Sequence, residues 1–221
     1  MQELSFCKFL PKTYPSQQNT AAETEHGKGG NASEAEFYEA IFPERDVVGF
    51  DYKAETPWES IGEFQSEAKR LLAEYDGIIL VANSIGAYFS LLALADMPIE
   101  KAYFISPIVN MEKLICDMMH WAGVTEDELQ EKGVIATDFG EDLSWEYLAW
   151  VRSHPVSWHI PTEILYGSED NLQSMDTVKE FAAGCGAGLT VMEHGEHWFH
   201  TEEQLRFLRE WLVGCEARKN S

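Results

Sequence analysis

The chain has 221 residues, 45% of them hydrophobic and 12% aromatic, which is enough for one sizeable core and suits a single domain carrying a modest insertion. Sixteen basic residues against thirty-eight acidic ones leave a formal charge of -22, which opposes binding to nucleic acid or to an anionic membrane surface. The acidic residues are scattered over helix faces rather than gathered in a tail, and they read as solubility. Cys7, Cys116, Cys185 and Cys215 form no CxxC pair and read as reduced thiols. No apolar run approaches the ~18 residues of a membrane span, and "MQELSFCKFLPKTYP" lacks the pattern of a secretory signal. The expected location is cytoplasmic.

The first apolar run is "LSFCKFL" (4 to 10), and "PSQQNTAAETEHGKGGNAS" (15 to 33) is polar enough for a long loop. "EAEFYEAIF" reads as a short helix and "DVVGFDY" (46 to 52) as a strand. "TPWESIGEFQSEAKRLLAEY" then puts Trp58, Ile61, Phe64, Ala68, Leu71 and Leu72 on one helical face. Its start is marked by Thr56 as cap, Pro57 at the first position and Glu59 completing a capping box. Ile78 to Val81 supply a buried strand, and Ile85, Tyr88, Leu91, Leu92 and Leu94 follow at helical spacing. "KAYFISP" (101 to 107) is another strand. Residues 108 to 160 break the pattern with helix-like pieces rich in Met and Trp and an irregular "GVIATDFGEDL". Alternation resumes with a strand at 162 to 167, a helix at 174 to 184, a strand at 189 to 194 and the closing helix "TEEQLRFLREWL", capped by Thr201. Strands separated by such helices imply a doubly wound, mostly parallel sheet with helices on both faces. Sites in such sheets lie at the carboxyl ends of the strands.

Ser84 sits at the junction of a strand and a helix, with Ala82 two residues before it and Gly86 two after. Small neighbours allow a tight turn that holds a side chain outward; a serine at a helix start can equally be an N-cap. A hydroxyl becomes a nucleophile at neutral pH only beside a base, and the base needs an acid to orient it. Asp170 follows the apolar strand and Gly167 in "ILYGSEDNL", and His197 lies after the last strand in "VMEHGEHWF". Asp138 and Glu193 are alternative acids, and Asp51 ends a strand on the same edge as a turn-capping carboxylate. His194, His197 and His200 are spaced three apart, but Gly195 and the strand before it argue against a helix that would gather them on a metal.

On these pieces the chain resembles the α/β-hydrolase superfamily from about His26 onward: "ANSIGA" looks like the nucleophile elbow, "PTEILYGSED" like the acid strand, "HGEHWF" like the histidine loop and "HGKGG" (26 to 30) like the oxyanion loop. Two departures stand. Ala82 replaces the elbow's usual Gly. "NTAAETE" precedes His26 where the family has an apolar strand, so either "LSFCKFL" is that strand with a long loop after it or the sheet loses a strand there. The resemblance implies an α/β-hydrolase fold, with residues 1–221 as one domain and 108–160 as a small helical cap inserted in it. It implies Ser84 as nucleophile, His197 as base and Asp170 as its acid. The backbone N–H groups of Ile85 and Lys28 would form the oxyanion hole, although "HGKGG" also suits a plain glycine turn. The expected activity is hydrolysis of a small-molecule ester or thioester through an acyl-enzyme, with no cofactor and no metal. Acyl transfer, lyase chemistry, or a non-catalytic binding module on the same scaffold are the alternatives.

Overall fold

The structure is a computed structural model and describes residues 7–11 and 37–218. The strands of the central sheet are β1 (Cys7–Pro11), β2 (Val48–Phe50), β3 (Ile78–Asn83), β4 (Ile99–Ile105), β7 (Thr162–Gly167) and β8 (Gly188–Met192). Among the described residues they make a six-stranded sheet in the order β2-β1-β3-β4-β7-β8. β3, β4, β7 and β8 are parallel, joined by the helical crossovers that parallel pairing requires.

β1 is antiparallel to both neighbours, Cys7 lying opposite Ala82 and Pro11 opposite Ile78. The apolar run near the N-terminus is therefore a sheet strand, but a reversed one. The chain leaves β1 at the amino edge of the parallel strands, the end away from Ser84. His26 and Lys28, with the rest of "HGKGG", lie outside the described residues.

Alternation along β3 sends Ile78, Leu80 and Ala82 to one face and Ile79 and Val81 to the other. Helices α1 (Pro57–Glu74), α2 (Ser84–Ala93) and α6 (Met175–Cys185) pack on the first face, and α7 (Glu202–Ala217) with Tyr38, Ile41 and Phe42 on the second. The starts of α1 and α7 are where the sequence places them, Glu59 accepting from the backbone N–H and the hydroxyl of Thr56, and Thr201 accepting from the Gln204 N–H.

Three sequence expectations change. The buried face of α1 is Ser60, Phe64, Ala68 and Leu71; Trp58 is 36% exposed and its ring meets Tyr147 and Trp150 instead. Helix α2 is buried nearly all round, so its apolar stripe understates its burial. β8 stops at Met192, and His194 sits in a turn at φ 59 rather than at a strand end.

Between β4 and β7 lie α3 (Met111–Ala122), α4 (Glu126–Lys132), a hairpin of β5 (Val134–Ile135) with β6 (Leu143–Ser144), and α5 (Trp145–Ser153). The irregular "GVIATDFGEDL" is this hairpin. Arg152 of α5 bridges Glu112 of α3 and Glu126 of α4, tying the helices of the segment to one another.

Candidate active site

At the carboxyl end of β3 the chain turns directly into α2, and Ser84 makes that turn with φ 46. A left-handed conformation costs a non-glycine residue about 1–2 kcal/mol. Asn83, with extended backbone, occupies the cap position of α2, so Ser84 is not the N-cap. Its side chain instead meets His197, with Oγ 2.9 Å from Nε2. The N–H of Ile85 lies in the first turn of α2, where a helix offers no carbonyl of its own and the helix dipole is positive.

His197 Nδ1 is 2.7 Å from Asp170 Oδ2. An ionised carboxylate only accepts, so Nδ1 carries the proton it donates to Asp170, and Nε2 is left as acceptor for the Ser84 hydroxyl. The side chains of His197 and Asp170 are 6% and 0% exposed, which removes competing water from the pair. The Oδ1 atom of Asp170 accepts from the backbone N–H groups of Leu172 and Gln173, at 2.8 and 3.2 Å. Both oxygens of the buried anion are thus occupied.

The two loops that carry the acid and the histidine are stitched by backbone bonds: Ser168 N–H to the Met192 carbonyl and Glu169 N–H to the Gly195 carbonyl. The Ser168 hydroxyl also accepts from the His194 N–H. A Cβ built on Gly167 would collide with the carbonyls of Gly195 and Glu196, so the close approach of the loops requires glycine there. Tyr166, the last large side chain of β7, donates its hydroxyl to the Gln173 carbonyl. Burial pushes its phenol up to about 12, and the nearby Asp170 charge adds to the shift.

The other residues singled out in the sequence fall elsewhere. Asp138 and Glu193 are exposed, as is Asp51 beyond β2. His194 pairs with Glu169, which raises its pKa, and His200 stacks on Trp198 and bonds its carbonyl. Among the described residues no group of His, Cys, Asp and Glu is placed to hold a metal ion. The Met and Trp residues of the inserted segment divide clearly: Met111, Met119 and Trp158 are core, Trp145, Trp150 and Met118 are half-buried against it, and Trp121 is 52% exposed. Gln173 and Tyr166 carried no motif that could have marked them, because their roles arise from bonds across the fold.

No protein-family model matches this chain, and no curated protein matches it in sequence. Solved structures do match it in shape. Est1E from Butyrivibrio proteoclasticus superposes with a TM-score of 0.67 over 87% of this chain and 84% of its own, at 14% identity. Mouse alpha/beta hydrolase domain-containing protein 10 does so with a TM-score of 0.65 over 86% of each chain, at 15% identity. A putative hydrolase from Agrobacterium vitis S4 gives 0.63 over 83% of this chain and 80% of its own, also at 15% identity. The fold is that of the α/β-hydrolases.

Proposed function

We propose that this protein is a serine hydrolase that cleaves a carboxylic ester or thioester of a small, uncharged acyl group. The observation that carries the reading is the buried relay from Ser84 Oγ through His197 to Asp170, at 2.9 and 2.7 Å, on a serine held at φ 46. Strain and burial of this kind cost stability and are maintained at functional positions. Ser84 attacks the acyl carbonyl while His197 Nε2 takes its proton, and Asp170 stabilises the imidazolium that results. The Ile85 N–H donates to the oxyanion. Collapse of the tetrahedral intermediate releases the alcohol or thiol with the proton from His197, and water then cleaves the acyl-enzyme by the same route in reverse order.

The exposed carboxylates of Glu169, Glu193 and Glu196 beside the histidine loop disfavour an anionic substrate, which supports an uncharged acyl group. Est1E has also been solved with ferulic acid bound, which supports a small organic acid as product here. Residues 108–160 act as a cap in this reading, their half-buried Trp145 and Trp150 contributing to the acyl pocket.

The test is labelling with a fluorophosphonate followed by peptide mapping, together with turnover of a short-chain aryl ester. Wild type is expected to label at Ser84, and Ser84→Ala to lose both the label and about a millionfold in rate while remaining folded. A Ser84→Ala variant that keeps most of the activity would overturn the assignment, and a wild type that takes no label would favour a binding module.

A further inference from the structure

Gln173 lies in the loop that follows the acid and is 2% exposed. Its side chain does not face the site; it reaches across to the start of the inserted segment. There Oε1 accepts from the backbone N–H groups of Val109 and Asn110 at 3.2 and 3.0 Å, and Nε2 donates to the carbonyls of Asn110 and Leu172 at 3.3 and 3.1 Å. Its own N–H donates to Asp170 Oδ1, and its carbonyl accepts from Tyr166. One residue therefore joins the acid, the end of β7 and the root of the insertion.

The neighbouring Ile108 N–H donates to the carbonyl of Ser84 at 3.1 Å. From the nucleophile's backbone the chain of contacts runs through 108–110 to the Gln173 carboxamide, from the Gln173 N–H to Asp170, then through His197 back to the nucleophile's own Oγ. The circuit closes on Ser84. Asn110 also caps α3, its Oδ1 accepting from the Lys113 N–H, so the first helix of the insertion is fastened at the same point. We propose that Gln173 is a positioning residue that holds Asp170 in register with Ser84 by gripping the root of the insertion. Its carboxamide spans the loops that follow β4 and β7, and a buried amide anchored at both ends resists displacement. A shift of the 109–110 backbone reaches Asp170 through this side chain.

The inference rests on the hydrolase reading, and its test follows the nucleophile rather than any one substrate. The measurement is the second-order rate of fluorophosphonate labelling at Ser84. Gln173→Met keeps the side chain's length and loses the amide, and is expected to label about tenfold more slowly, since small misplacements of catalytic groups are costly. Gln173→Glu keeps both acceptances but sets an oxygen against the carbonyls of Asn110 and Leu172, and is expected to label at least as slowly as the Met variant. In an Asp170→Asn background, adding Gln173→Met should slow labelling by less than about twofold further, because residues that act as a unit are not additive. Should the Met variant fail to fold, Gln173→Asn, too short to grip both segments, is expected to give the same slowing and the same non-additivity. Labelling of Gln173→Met at the wild-type rate, or an equal loss with and without Asp170, would reduce Gln173 to packing and overturn the proposal. An unlabelled wild type would overturn the hydrolase reading and this inference with it.

Discussion

Three histidines crowd the last loop, yet their surroundings separate them at the level of single residues. His197 is buried between Ser84 and Asp170, whereas His194 and His200 are exposed, His194 pairing with Glu169 of the neighbouring acid loop and His200 with the Trp198 carbonyl of its own. Replacing His197 by Ala should remove ester hydrolysis, and replacing His194 or His200 should change it by less than about threefold, because neither holds a group of the relay. Initial rates of the three variants check both expectations; activity that a chelator abolishes and zinc restores would count against them. The glycine before the acid is equally specific. Gly167→Ala drives a methyl group into the carbonyls of the histidine loop. It should destabilise the fold by about 1–3 kcal/mol and lower kcat more than it raises KM, read by thermal denaturation and steady-state kinetics.

At the scale of elements, the inserted segment meets the body through aromatic side chains. Trp58 of α1 lies 6.1 Å, centroid to centroid, from Trp150 and 6.0 Å from Tyr147, both on α5. If α5 forms one wall of the acyl pocket, each further methylene that the pocket buries contributes up to about 0.8 kcal/mol to transition-state binding. A series of esters from acetate upward should show kcat/KM rising to a maximum and then falling. Trp150→Ala should move that maximum to a longer chain, as should Trp145→Ala. A profile that neither substitution alters would assign the segment to packing alone.

Across the whole molecule, the core carries polar groups whose protonation it controls. Burial holds the phenols of Tyr88, Tyr103 and Tyr147 far above the ordinary tyrosine value, and the Glu216 carboxylate that accepts from Tyr103 adds to its shift. These groups stay protonated in the folded state and would ionise in the unfolded one, so stability is fully present below about pH 10 and falls as pH rises beyond it. A spectrophotometric titration should therefore show these three, with Tyr166, ionising only as the fold is lost.

The sequence by itself determined the parallel strands, the helices between them, and the order in which serine, acid and histidine follow strand ends. Those features are local: an aliphatic run, a capping threonine and a small residue at a turn each act on their immediate neighbours. It also singled out Asp170 among the candidate acids, through the strand and Gly167 before it. The direction of β1, the place of Trp58, and the sorting of the insertion's Met and Trp residues were decided only in the tertiary structure. So were the roles of Gly167, Tyr166 and Gln173. The apolar run at 4 to 10 has the same periodicity whichever way it pairs, and Trp58 satisfies the helical stripe whether it faces the sheet or the insertion. Gln173 has no local signature, since the groups it bonds at 109 and 110 are some sixty residues away in the chain and reach it only because β4 and β7 are neighbours. Local chemistry is written in short stretches of sequence, whereas a bond between distant segments exists only once the sheet has brought them together.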